Sequence, residues 1–184
     1  KELFQKNINY IWISHAHEDH FSIDFLSELD KNIPILIAKF KGSNLLDRLK
    51  KLKFLNIIEI NHNETYNISN KISIKIICDT TYKEDSSLFI NFNNKYTFLN
   101  TNDCNNTLTD LPKNVDFMTC QFSGAQWYPQ CYNYSHEIMS KKINDVNHGL
   151  NLCWENKIKY VKPKYYFPSG GPPCFLNDKS INLK

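Results

Sequence analysis

The chain reads His15-Ala16-His17-Glu18-Asp19-His20 near its start, and this short stretch holds three of the six histidines in the sequence. It directly follows the apolar run Ile8-Asn9-Tyr10-Ile11-Trp12-Ile13, whose β-branched and aromatic residues predict a short buried strand. We therefore expect the polar residues to form a tight loop at the end of that strand, where a rigid scaffold can hold side chains for chemistry.

Imidazole and carboxylate groups at this spacing predict a metal site, because both suit zinc, iron or manganese. Along an extended loop, alternation would turn His15 and His17 towards one ion, and Asp19 and His20 towards a neighbouring one. The alternative interpretation is a polar surface loop that happens to be rich in histidine. The concentration of four ligand-type residues in so short a stretch favours the metal site.

The pattern His-x-His-x-Asp-His after a strand resembles the metal motif of the metallo-β-lactamase superfamily. The resemblance implies a four-layer αββα fold, with a mono- or dinuclear metal site at one edge of its β-sandwich. A helix predicted from about Ser22 to Asp30 agrees with the local order of that family, since Ser22 is a suitable N-cap. Four apolar residues form a stripe on it: Ile23, Phe25, Leu26 and Leu29.

Size and composition predict a single globular domain over residues 1–184, since 184 residues with 41% hydrophobic content can bury a sizeable core. No apolar run approaches the length of a membrane span, and no signal peptide is visible. The metal motif begins only at His15, whereas proteins of this superfamily normally carry several strands ahead of it. We therefore expect the chain to be a fragment that lacks the N-terminal strands.

The charge and the cysteine content limit the classes of partner and the cellular compartment that we expect. The net charge is +3, and Arg48 is the only arginine, so we expect no nucleic-acid partner; because no apolar run is long enough to span a membrane, we also expect no membrane partner. Six cysteines occur without a Cys-x-x-Cys pair, which argues against a structural zinc knuckle. Several lie in apolar strands, as buried free thiols commonly do, so we expect a reduced, cytoplasmic protein. The even number leaves a disulfide open.

The order of elements changes character along the chain. The first part alternates strand and helix, as in α/β proteins, and the second part predicts antiparallel strands around a tight Asn93-Asn94 turn, followed by a long polar helix. The predicted strands are 33–38, 57–60, 72–78, 87–92, 95–99, 115–122 and 164–168, and the predicted helices are 45–54 and 135–159. Together they predict an α/β to α+β class.

The superfamily resemblance implies further metal ligands: a histidine after a middle strand, a bridging aspartate after a hairpin, and a last histidine after a late strand. Asp103 matches the second of these. A carboxylate suits the role, because it can bind two cations at once and lower the pKa of the water between them. The alternative for Asp103 is an Asn/Asp-rich turn.

The other two expected ligands have no match. Asp79 stands where the middle histidine is expected, and no histidine follows the late strand that ends at Pro168. The three histidines outside the motif are interpreted as solvated or helix-capping residues: His62, His136 and His148. We therefore expect a reduced or altered metal site.

A narrower resemblance lies in four short segments at residues 85–90, 99–104, 122–125 and 163–168. They look like the lactamase-fold half of CMP-N-acetylneuraminate hydroxylase-like proteins, over most of the chain from 10 to 171. This implies an iron-dependent oxygenase that hydroxylates a nucleotide-activated amino sugar and receives electrons from a separate Rieske-type partner. A Rieske centre needs Cys-x-His and Cys-x-x-His elements, and this chain has neither.

Two enzymatic hypotheses follow. The default for the superfamily is a hydrolase, in which a metal-activated water attacks an ester, lactone or phosphodiester in a small-molecule substrate. His15, His17 and His20 would be ligands, Asp19 a ligand or catalytic proton acceptor, and Asp103 a bridge, around one or two zinc or iron ions.

The second hypothesis is the oxygenase, because two histidines and a carboxylate with open positions suit non-haem Fe(II). A degenerate, non-catalytic binding module is the third alternative, and the intact metal motif argues against it. An aromatic segment could form a wall of the substrate pocket or equally a packed surface loop: Trp127, Tyr128, Pro129, Tyr132 and Tyr134.

Overall fold

The protein is described from a computed structural model, which covers residues 8–81, 83–121, 129 and 131–169. Its helices are α1 (Ile23–Ser27), α2 (Asn44–Lys51) and α3 (His136–Val161), with a short 3-10 turn at Leu108–Asp110. Its strands are β1 (Ile11–Trp12), β2 (Ile35–Ala38), β3 (Ile57–Ile60), β4 (Thr65–Asn67), β5 (Ile72–Cys78), β6 (Ser86–Phe92), β7 (Tyr96–Asn100), β8 (Phe117–Gln121) and β9 (Tyr165–Ser169).

The first sheet is small and parallel, in the order β1-β2-β3. Its central strand β2 is buried along its whole length, as expected for a strand covered on both faces. Because side chains alternate along a strand, Ile35 and Ile37 pack against α1 and α2, whereas Leu36 and Ala38 pack towards the second sheet.

The second sheet has six strands in the order β4-β5-β6-β7-β8-β9. Strands β4 to β7 pair antiparallel, and the β6–β7 hairpin turns at Asn93 and Asn94, both with the positive φ that a tight hairpin turn requires. Strand β8 then adds parallel to β7 after a connection that contains the 3-10 turn, and β9 adds parallel to β8 because α3 crosses over between these two strands.

Three cores separate four layers. The middle core lies between the two sheets and contains Ile74 and Ile76 of β5. Their neighbour Ile77 points to the opposite face, where it belongs to the core that includes Val161 of α3. The order of layers is therefore helix, sheet, sheet, helix, and the predicted αββα sandwich is confirmed.

The first predicted helix is shorter than the sequence pattern indicates, because α1 ends at Ser27 instead of continuing to Asp30. The Lys31 ammonium donates to the carbonyls of Leu26 and Ser27, at 2.7 and 3.1 Å, and so satisfies groups that a continuing helix would have used. Among the described residues, no helix is both long enough and apolar enough to cross a membrane. In the aromatic segment, Trp127 and Tyr128 lie outside the described residues.

Candidate metal centre

The motif residues lie in a tight turn between β1 and α1. The backbone N–H groups of His20 and Phe21 both donate to the carbonyl of His17, at 3.0 and 2.7 Å, so the chain folds back on itself. This brings the ring of His20 to 4.3 Å from that of His15, centroid to centroid. His15 is buried, whereas His17 and Asp19 are exposed. In a loop of this shape, the buried imidazole of His15 lies close to ligand groups that are more exposed to solvent.

All five predicted site residues come together around this turn. The Nε2 atom of His15 lies 2.9 Å from Nδ1 of His17 and 3.8 Å from the Asp103 carboxylate. The Nε2 atom of His20 lies 3.6 Å from the other oxygen of Asp103 and 3.3 Å from the Asp19 carboxylate. The turn after the hairpin thus brings the Asp103 carboxylate close to the motif histidines.

These distances fit a bound cation. Metal–ligand bonds of about 2.0–2.2 Å in tetrahedral geometry separate neighbouring ligand atoms by roughly 3.4 Å, which lies within the spread observed here. One carboxylate oxygen of Asp103 is buried with no hydrogen-bond partner, which is costly unless a cation satisfies it. Two sets of ligand atoms each lie within 4.8 Å of one another: His15, His17 and Asp19; and His15, His20 and Asp103.

His15 belongs to both sets, so the geometry does not separate the motif into the two predicted pairs. Burial by itself lowers the pKa of His15, but the hydrogen bond that its imidazole donates to Asp85 and the charges of Asp85, Asp103 and Asp19 outweigh it, so the pKa is raised. The carboxylates therefore create a negative potential at this imidazole. The same potential attracts a metal cation.

Asp85 is a candidate site residue that the sequence reasoning did not single out. Its Oδ1 atom lies 3.1 Å from Nδ1 of His15, on the side of the ring opposite the cluster. Asp85 is buried together with Asp79 and Cys104, and one ligand atom from each lies within 4.8 Å of the others. The sequence signals for Asp85 are its position just before β6 and its place in the 85–90 segment of the narrower resemblance, and neither shows which residue it faces.

Asp79, which stands where a middle-strand histidine is expected, lies in this buried group and not among the histidines. Its carboxylate accepts from the backbone N–H of Thr81 at 2.5 Å and from that of Asn105 at 3.3 Å. Among the described residues, the contacts of Asp79 include none of the motif histidines. Through the backbone N–H of Asn105, Asp79 instead contacts the loop that carries Asp103.

The histidines outside the motif stay apart from the cluster. His62 accepts from the backbone N–H of Cys78 at 3.0 Å and lies 3.8 Å from Asp110. His136 begins α3 behind the N-cap Ser135, and His148 is exposed on the same helix. None belongs to a metal-type group among the described residues, which agrees with their interpretation as solvated or capping residues.

Two cationic side chains donate hydrogen bonds to the backbones of the two loops that carry the candidate ligands. Arg48 of α2 donates to the carbonyl of Ala16 at 2.5 Å, and its guanidinium lies 4.5 Å from the ring centre of Phe21. The buried Lys157 of α3 donates to the carbonyl of Cys104 at 2.6 Å. Sequence reasoning missed both, since a lone arginine and one lysine in a polar helix carry no local signal of such contacts.

Several solved structures share this architecture. The metallo-β-lactamase fold protein YhfI from Bacillus subtilis matches with a TM-score of 0.53 and 13% identity, over 89% of this chain and 67% of that chain. The chain has the metallo-β-lactamase fold. Two further structures share it: CmlA, a diiron β-hydroxylase from Streptomyces venezuelae (TM-score 0.57, 13% identity, 86% of this chain and 35% of that chain), and an isothiocyanate hydrolase from Delia radicum gut bacteria (0.59, 12%, 95% and 68%).

Sequence relatives of this metallo-β-lactamase-fold chain carry more specific names. A protein of Mycolicibacterium smegmatis named as a Rieske 2Fe-2S iron-sulfur protein is 27% identical over 190 residues, which cover 96% of this chain and 36% of that protein. The cytidine monophosphate-N-acetylneuraminic acid hydroxylase of Danio rerio is 28% identical over 172 residues, 88% of this chain and 29% of that protein. The chain thus spans about a third of the length of these relatives. No protein-family model matches it.

Proposed function

We propose that this chain is the metal-binding domain of an iron-dependent oxygenase that hydroxylates a small organic substrate. The observation that carries the proposal is the convergence of His15, His20 and Asp103. Two histidines and one carboxylate with open positions are the ligand set typical of non-haem iron oxygenases. The relatives that align over almost all of the chain support the oxygenase over the hydrolase, because their names are those of a hydroxylase and of Rieske proteins.

The residues divide into roles by their position. His15, His20 and Asp103 would hold one iron ion, and His17 with Asp19 would complete its coordination or hold a second ion. When bound, iron supplies the activation of dioxygen. Asp19 has a side chain that is 74% exposed and lies 3.3 Å from His20, so it can exchange a proton with solvent beside the cluster. His15 is enclosed and excludes water from the inner side.

Hydroxylation has a defined balance. One C–H bond of the substrate and one dioxygen molecule react with two electrons and two protons, and yield one C–OH bond and one water. We propose that a Rieske-type iron–sulfur module supplies the electrons one at a time, because the Rieske ligand pattern is missing from this chain and the mycobacterial relatives bear that name. The proposed substrate is a nucleotide-activated amino sugar, from the name of the fish relative.

Metal and isotope analysis of the full-length protein, purified without chelators, test the proposal. We expect iron in the protein, and label from isotopic dioxygen in the product when CMP-N-acetylneuraminate and a reduced Rieske-type donor are supplied. Tightly bound zinc without label in any product would contradict it. The single-domain boundary and the cytoplasmic location stay predictions.

The hydrolase is the second candidate, because the isothiocyanate hydrolase shares the fold and because the two oxygens of Asp103 lie 3.8 and 3.6 Å from His15 and His20, so that this carboxylate could bridge two ions. Bound zinc would supply a water of lowered pKa. Turnover of an ester, lactone or phosphodiester by the zinc-loaded protein, under nitrogen and without reductant, would favour it over the oxygenase.

A further inference from the structure

We propose that Asp85 is a positioning residue that selects the tautomer of His15, so that the Nε2 atom of this imidazole keeps its lone pair for the metal. The inference rests on the proposed metal site. It assigns a role to a buried carboxylate that contacts a ligand but does not reach the cluster itself.

The contact between Asp85 and His15 determines which ring nitrogen of His15 carries the proton. An ionised carboxylate only accepts hydrogen bonds, so the 3.1 Å contact of Asp85 with Nδ1 of His15 requires the proton on Nδ1. A neutral imidazole then has its lone pair on Nε2, and Nε2 is the atom that lies within 2.9 to 3.8 Å of His17 and Asp103. A metal-ligating histidine is commonly oriented in this way by a carboxylate behind it.

A competing partner makes the selection necessary. The hydroxyl of Ser14 lies 3.0 Å from the same Nδ1 atom and is also buried. A hydroxyl can donate as well as accept, so Ser14 alone permits the opposite tautomer, with the proton on Nε2 and no lone pair for a metal. Only the carboxylate of Asp85 excludes that state.

The position of Asp85 is fixed relative to the motif. Its Oδ1 atom accepts from the backbone N–H of Ser86 at 2.6 Å, and the Ser86 hydroxyl donates to the carbonyl of Ser14 at 3.1 Å. The adjacent Glu84 accepts from the N-terminal backbone of α2, through Asn44 and Leu45 at 3.0 Å each. The same helix carries Arg48, which holds the motif loop. The carboxylate and the imidazole are thus attached to one rigid unit.

Three variants of the full-length protein test the proposal: Asp85→Asn, Ser14→Ala and Asp79→Asn. Asp79 is the matched control, since it is as buried as Asp85 and lies in the same group but has no described contact with a motif histidine. Long-range proton–nitrogen NMR on the metal-free protein reads the tautomer of His15 directly. Titration with Co²⁺ reads affinity and the ligand-field spectrum, and circular dichroism checks the fold.

We expect the proton on Nδ1 in the wild type, in Ser14→Ala and in Asp79→Asn. In Asp85→Asn the amide can donate to Nδ1, so the proton should move to Nε2 and Co²⁺ affinity should fall by about 10–100-fold, with an altered spectrum. A proton on Nε2 in the wild type, or equal losses of affinity in Asp85→Asn and Asp79→Asn, would overturn the inference. A wild type that shows the Nδ1 proton but binds no metal would instead remove the proposed function and leave Asp85 without a ligand to position.

Discussion

The motif loop at residues 14–20 and the loop at residues 101–106 supply the same candidate metal centre, but they differ in how the sequence encodes them. The first concentrates three histidines and Asp19 in one turn after β1. The second contributes Asp103 alone, in a polar stretch after β7 that by itself resembles an ordinary turn. The first loop is thus recognisable from local spacing, whereas Asp103 in the second is recognisable only through the superfamily resemblance, and its contacts with His15 and His20 form only in the folded chain.

The two loops are also held by similar contacts, and we call each of these contacts a brace. In each, a cationic side chain from a helix donates to a backbone carbonyl next to a ligand: Arg48 to Ala16, and Lys157 to Cys104. Lys157 is buried, whereas Arg48 is partly exposed and also stacks on Phe21. We therefore expect the second loop to depend more strongly on its brace than the first loop does.

The largest expected effect comes from the motif loop itself. His17→Ala removes an exposed ligand group, so the protein should stay folded while activity falls to background and metal affinity drops by more than about 100-fold, beyond the usual loss for an outer-sphere change. Metal analysis and thermal melting of the apo-protein measure this. The control is His148→Ala, an exposed histidine on α3 that should change neither. Full activity of His17→Ala would show that the site is misassigned.

Lys157→Met tests the brace of the second loop. It leaves the buried carbonyl of Cys104 without its charged donor, so we expect unfolding to become easier by about 2 kcal/mol, together with weaker metal binding through Asp103. Denaturant unfolding with metal titration measures both. Lys159→Met is the matched control, because Lys159 is exposed and pairs only with Glu155 in its described contacts, and should change stability by less than about 0.5 kcal/mol.

Arg48→Ala tests the brace of the first loop. The loss of the hydrogen bond to Ala16 and of the contact with Phe21 should cost about 1–2 kcal/mol, with a smaller loss of metal affinity than in Lys157→Met. Lys50→Ala, an exposed change on the same helix, serves as the control. An equal or larger loss of metal affinity in Arg48→Ala would reverse the ranking of the two loops.

The smallest expected effect concerns the reactivity of the cysteine thiols, which alkylation measures. Burial raises the pKa of the Cys78 thiol to about 11 and raises those of Cys104 and Cys120 as well, so all three stay protonated at pH 8, whereas Cys131 and Cys153 are exposed. Mass spectrometry after brief alkylation should find label on the exposed pair and not on the buried three. Lys157→Met should make Cys104 reactive. Label on Cys104 in the wild type would mean that the second loop opens without any change to its brace.

The predictable part of this fold was local. Alternation of Ile72, Ile74 and Ile76 predicts a strand with one buried face, and Asn93-Asn94 predicts the hairpin turn. These patterns depend on residues close in sequence, so most elements lie within a few residues of their expected bounds. The end of α1 is an exception, because Lys31 caps it from outside the helical stripe.

By itself, the sequence determined that a strand leads into a turn of three histidines and an aspartate, and hence where the candidate metal site lies. The superfamily resemblance also pointed to Asp103, but only the tertiary structure decided how it meets the turn, and the structure alone decided that Asp85 lies behind His15 and that cations lie under both loops. The physical reason is that spacing and periodicity encode local geometry, whereas these contacts join residues far apart in the chain. Such residues meet only when burial of the shared cores brings the layers together.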